Sequence, residues 1–168
     1  MVPYSIDQPL PAEFQGGPAQ QGFWGLPRTD WLPDGRTMRL VQPYHYTCAA
    51  RRVHSARANL ITDGKTKAPR PFVGKARFAA LIHDQICIDA EDVAMEAVTR
   101  QDWALMAEAH KMRDYGDRIF HEAAAFAGTH PVHAKGLYGL VRAGARWRFN
   151  RWGALMANAT TPPIYREK

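Results

Sequence analysis

The chain has 168 residues, long enough for one core of ordinary size and too short for two comfortable domains, so a single domain with appendages is expected. Hydrophobic residues at 46% and charged residues at 23% exclude global disorder, and no run approaches the ~18 apolar residues of a membrane span. The formal charge of +6, from 22 Lys plus Arg against 16 Asp plus Glu, favours an acidic partner without choosing among nucleic acid, anionic lipid and protein.

The opening MVPYSIDQPLPAEF has neither a basic start nor an apolar stretch, so no cleaved signal peptide is expected. Cys48 and Cys87 stand in unrelated contexts without CxxC spacing, which suggests small apolar fillers in a reducing compartment rather than a disulfide or a zinc knuckle. Residues 1–45 differ in character from the rest of the chain. Seven of the 12 prolines lie between Pro3 and Pro43, mixed with Gly16, Gly17, Gly22, Gly25 and Gly35, and this composition predicts an extended arm. Its Phe14, Phe23, Trp24 and Trp31 would anchor the arm on its own domain or on a neighbouring subunit.

A compact domain is expected over residues 46–157, with an irregular tail over 158–168. After the Pro33-Asp34-Gly35 turn signal, alternation over residues 36–41 predicts a strand, and a second extended stretch runs over 53–62 into the turn Thr62-Asp63-Gly64. Residues 65–71 form a basic, proline-containing loop. From Lys75 the hydrophobic period changes to that of a helix, with Phe78, Leu81, Ile82 and Ile86 on a buried face over residues 75–88. A second helix is expected from about Thr99, capped by its hydroxyl, with a stripe of Leu105, Ala109, Met112, Ile119, Ala123 and Phe126 that ends at Gly128. A third opens at Pro131 and carries Leu137, Leu140, Val141 and Ala145, while Gly136, Gly139 and Gly144 would admit another backbone. The fold class is therefore α+β: a small antiparallel β element, then three or four packed helices, with an extended N-terminal arm.

The residues that carry possible chemistry centre on His83-Asp84, a polar doublet inside an apolar helix that needs either a hydrogen-bonding partner or a ligand. With Asp63 at the turn before the helix and Asp117 on the next helix, the doublet would suit a divalent cation and an activated water; no other cofactor is implied. The structural alternative has Asp63 capping its turn and Asp117 pairing with Arg118 or with an arginine of the basic loop. Cys87 lies one helical turn beyond His83, where inert packing is the simpler use. Neither Ser5 nor Ser55 sits in a glycine-flanked elbow, and there is no phosphate-binding loop of the Walker or GxGxxG kind. The stretch 142–151 interleaves Trp147 and Phe149 with Arg146, Arg148 and Arg151, a composition able to bind nucleic acid but equally the stock of protein interfaces, which is the favoured reading.

Several short motifs occur in a fixed order: Thr62-Asp63-Gly64 with Pro69-Arg70, then Ala79-Ala80-Leu81-Ile82-His83-Asp84, then Asp117-Arg118-Ile119-Phe120 with Glu122-Ala123, and finally Tyr138, Val141-Arg142 and Gly144. In this order they resemble the phage- and prophage-encoded domain-of-unknown-function family 1353, over roughly residues 53 to 147. Residues 65–68 are more basic and one residue longer than that family's pattern, and Gln85-Ile86-Cys87 stand where it places aromatic residues. The resemblance implies a bacteriophage origin. It leads to the expectation of a virion-associated structural protein of the tail, baseplate or neck, made in the host cytoplasm. Such a protein would contact other virion proteins or copies of itself through the arm and the basic helix. The alternative is a metal-dependent hydrolase of entry or lysis, peptidoglycan-directed or an HD-type phosphohydrolase, using Asp63, His83, Asp84 and Asp117. His54 would be a further ligand of the HD type, although its context is a strand.

Overall fold

Alternation along residues 44–56 places every second side chain on one face, and in the computed structural model this stretch is the central hairpin of the β region. The structure describes residues 21–24, 27–34, 37–62 and 76–160. Strands β4 (Tyr44–Thr47) and β5 (Val53–Ala56) pair antiparallel with Tyr44 opposite Ala56 and Thr47 opposite Val53. The turn between them closes through Cys48 N donating to Arg52 O at 2.9 Å, and Arg51 takes a left-handed φ of 61° at its tip. Tyr44, Tyr46, His54 and Ala56 all face the core. Strand β1 (Gly22–Phe23) adds to the outer edge of β4, giving the order β1-β4-β5. A second antiparallel sheet, of order β2-β3-β6, is built from β2 (Thr29–Trp31), β3 (Met38–Leu40) and β6 (Ile61–Thr62).

Two expectations change here. The described part of the expected arm supplies three strands and part of a fourth, and Phe23 packs into the core, stacked on Tyr44 at 5.7 Å and against Tyr46 at 4.7 Å. Aromatic burial outweighs the local weakness that Pro and Gly confer on such short strands. The stretch 53–62 is also not one strand. Asn59 adopts a φ of 66°, a conformation that Asn tolerates better than most residues, and the chain turns so that β5 and β6 enter different sheets.

Three helices follow: α1 (Arg77–Arg100), α2 (Trp103–Phe126) and α3 (Pro131–Thr160). Thr99 does not cap α2. It lies in the last turn of α1, its hydroxyl donating to Met95 O, and α1 ends at Gln101 with a left-handed φ of 54°. Asp102 is the cap of α2, accepting from the Ala104 and Leu105 amides at 2.9 and 3.1 Å, because a carboxylate reaches two free amides at once. Gly128 closes α2 at φ 79°, and Pro131 opens α3, which runs through the basic stretch and three residues into the expected tail.

The helices pack around two apolar clusters. One joins Tyr44, Tyr46 and Ala56 to Leu81 and Ile82 of α1, Phe120 of α2 and Leu137 of α3. The other lies farther along the bundle, between Val93 of α1, Met112 of α2, and Phe149 and Met156 of α3. Helices α1 and α2 pack tightly at Gly116, where an added Cβ would stand 3.0 Å from Ile86 Cγ2. The glycines expected to admit a backbone, Gly136, Gly139 and Gly144, meet nothing within 4 Å, and Leu140 faces outward. No described helix is long and apolar enough to cross a membrane.

Candidate functional site

Residues four apart share one face of a helix, so His83 and Cys87 of α1 stand side by side on one buried face. His83 is buried, and its Nε2 lies 3.0 Å from Asp117 Oδ1 and 3.4 Å from Cys87 Sγ. Its Nδ1 stands 3.5 Å from Asp84 Oδ1, and the Thr62 hydroxyl of β6 donates to Asp84 Oδ2. Burial pulls the His83 pKa down, but Cys87 and the carboxylates of Asp117 and Asp84 outweigh it and hold the pKa well above the ordinary histidine value. The surroundings thus favour the charged form of the ring, held between two acids. Phe120 covers it edge-on, with ring centroids 5.6 Å apart.

Asp117 is 1% exposed. It does not pair with Arg118, which points to solvent and lies over Tyr115. Its neighbour is Arg113, one helical turn back, whose Nη1 is 3.9 Å from Asp117 Oδ2. That distance exceeds a direct hydrogen bond, and Arg113 Nε and Nη1 and Asp117 Oδ2 are buried with no hydrogen-bond partner. The guanidinium reaches Asp114 through its other nitrogen and lies over the Phe149 ring of α3. Asp117 thereby links all three helices.

Of the four candidate ligands, the structure brings His83, Asp84 and Asp117 together, while Asp63 lies outside the described residues. Among the described residues, no group of three or more His, Cys, Asp or Glu side chains is arranged to hold a metal ion. A general base needs a ring nitrogen directed at substrate, whereas both nitrogens of His83 already face acids inside the protein. Cys87 Sγ stands nearer the nitrogen that Asp117 meets, at 3.4 Å against 4.0 Å from Nδ1, whereas a nucleophile–base–orienter relay uses the two nitrogens separately. His54 is on a strand, as expected. Its Nε2 is 3.1 Å from the Tyr115 hydroxyl, and burial, helped by Arg52, pushes its pKa down to about 4.

Two further polar ties were not legible from spacing. Glu122 Oε1 accepts from the Tyr46 hydroxyl at 2.9 Å, the Ala49 amide at 2.8 Å and Gln21 Nε2 at 3.0 Å, fastening α2 to the β4–β5 hairpin. Arg57 donates to Asp89 Oδ1 at 2.7 Å, and its amide donates to Gln85 Oε1, fastening the β5–β6 turn to α1. The only sequence signal was that Gln85 and Asp89 stand four apart in an apolar helix.

The candidate interface residues divide. Phe14 and the side chain of Arg148 lie outside the described residues. Phe23 is half-buried against the core, and Trp24 is tied down, its indole donating to Thr47 Oγ1 at 2.9 Å. Trp31, Arg146 and Arg151 are exposed. Among the described side chains of helix α3, Ala134, Leu137, Val141, Phe149 and Met156 are buried. Its outer side carries Val132, Leu140 and Trp147 at 70%, 53% and 75% exposure. At 100° per residue these three fall within an arc of about 80°, flanked by Lys135, Arg142 and Arg146 on one side and Arg151 on the other. The helix holds five basic residues, Lys135, Arg142, Arg146, Arg148 and Arg151, and no acidic one. No protein-family model, curated protein or solved structure matches the chain.

Proposed function

We propose that the chain is a virion-associated structural protein of a bacteriophage tail, baseplate or neck, and that it works as an assembly module rather than as an enzyme. The observation that carries the assembly role is the outer face of α3, a row of exposed apolar side chains bordered by cations. A surface of this kind gains most when an acidic, partly apolar protein face covers it, because burial supplies affinity and the flanking charges supply register. The phage setting is supported by the ordered motifs around Thr62-Asp63-Gly64, His83-Asp84 and Asp117-Arg118-Ile119-Phe120. Mass spectrometry of particles purified from a host carrying the gene tests this reading: the chain should be present in amounts comparable with other minor structural proteins. Abundant protein in the host lysate with none in the particles would refute it.

The second reading, a metal-dependent hydrolase, rests on the contact of His83 with Asp84 and Asp117. It predicts that the purified chain retains a divalent ion and that His83→Ala releases it. If instead His83→Ala changes stability alone, the contact is a structural tie.

A further inference from the structure

The outer face of α3 has its complement on the same chain. Helix α1 is buried on most sides and shows solvent a narrow stripe in which Ile88 and Met95 are 39% and 52% exposed. Acids border that stripe. On the helical wheel Asp84 and Glu91 lie on one side of Ile88 and Met95, with Asp92 and Glu96 on the other. Asp92 is exposed, and Glu96, although bonded to Arg100 across one turn, keeps 42% of its side chain in solvent. Of the seven charged residues in α1, five are acidic, whereas all five in α3 are basic. The apolar spacing matches as well: Ile88 and Met95 are seven residues apart, as are Leu140 and Trp147, which is about 10.5 Å along either axis.

Resting on the assembly reading above, we infer that the partner of the α3 face is a second copy of this chain, which presents its α1 stripe. Leu140 and Trp147 of one copy lie against Ile88 and Met95 of the next, and Arg142 and Arg146, four apart on one side of their row, face Asp92 and Glu96, four apart on one side of theirs. A symmetric contact of α3 with α3 would set Lys135, Arg142, Arg146 and Arg151 against their own copies and is opposed by its own charge. Two different faces in contact make the interface heterologous, so each copy keeps one free donor face and one free acceptor face. Copies therefore add head to tail, as a ring if the rotation closes and as a filament if it does not.

The test uses the full chain and two doubly charge-reversed variants, Arg142→Glu with Arg146→Glu, and Asp92→Arg with Glu96→Arg. All four positions are on the surface, and circular dichroism verifies that the variants fold. In roughly 0.05 M salt, where charges act over long distances, light scattering of the wild type should give masses above the 18.9 kDa monomer that rise with concentration. Each variant alone should weaken association at least tenfold, and mixing the two should restore it, since the acidic α3 of one then meets the basic α1 of the other. A wild type that stays monomeric, or association that neither reversal weakens, overturns the inference. So does retention of the chain on duplex DNA or on phosphatidylserine vesicles without self-association. Presence of the chain in particles while it stays monomeric would leave the assembly reading standing and remove only the self-contact.

Discussion

Replacing Asp117 with Asn keeps the shape of a side chain that is 1% exposed and removes its charge. Two cations then lose their shared counterion: the His83 imidazolium, held at 3.0 Å, and the Arg113 guanidinium, 3.9 Å away in a buried setting. Removing one partner of a buried pair costs about 3–5 kcal/mol, and Asn can still accept from His83 Nε2, so the lower end, about 3 kcal/mol, applies. At roughly 2–4 °C per kcal/mol for a domain of this size, the Tm should fall by 6–12 °C. The effect has a direction in pH. His83 binds its proton more tightly folded than unfolded, so its contribution is complete below the unfolded value of about 6.5 and is lost as pH rises through the higher folded value. The gap in Tm between wild type and Asp117→Asn should therefore be widest near pH 6 and narrow as the solution becomes more alkaline. Melting followed by far-UV circular dichroism across that range measures it. A variant that melts within about 1 °C of wild type at pH 6 would refute the reasoning, since at that pH both the charge of the pair and its burial should count in full.

His54 should behave oppositely. Its pKa of about 4 against the ordinary 6.5 is worth roughly 3 kcal/mol. That stability is present above the unfolded pKa and declines as pH falls toward 4, so His54→Gln should remove part of the acid sensitivity, and an NMR titration should find the ring neutral at pH 6. Gly116→Ala should lower the Tm, because its methyl group would meet Ile86 at 3.0 Å in the packed α1–α2 contact, at a cost of about 1–3 kcal/mol. Gly153→Ala, with nothing within 4 Å, should instead raise stability by up to about 1 kcal/mol through helix propensity alone. Glu122→Ala leaves the Tyr46 hydroxyl and the Ala49 amide without their acceptor and should cost about 1–3 kcal/mol in chemical denaturation, with Glu122→Gln recovering part of it.

Much of the helical region was legible because its signals are local. Leu81, Ile82 and Ile86 mark the buried face of α1, Gly128 and Pro131 punctuate the step from α2 to α3, and Leu137 and Val141 mark the inner row of α3. The β region was read less well. Phe23 looked like an adhesive side chain on an arm because nothing within a few residues of it is apolar enough to hide it. Its partners Tyr44, Tyr46 and Phe126 are about 20 to 100 residues away. The division of residues 53–62 between two sheets depended on one φ angle at Asn59, a choice that alternation alone does not report.

The candidate site followed the same pattern. The chain by itself determined an α+β fold, the polar doublet His83-Asp84 in an apolar helix, and an excess of charge collected on the last helix, since each of these is a matter of composition and period along a single element. Only tertiary structure decided that His83 faces Asp117 across the α1–α2 contact, that Arg113 and not Arg118 is the neighbour of Asp117, and that Leu140 and Trp147 of α3 are left in solvent. The reason is physical. Period says that a helix has a face, but which face is covered, and by which charge, depends on neighbours brought close by the burial of apolar surface contributed by distant parts of the chain.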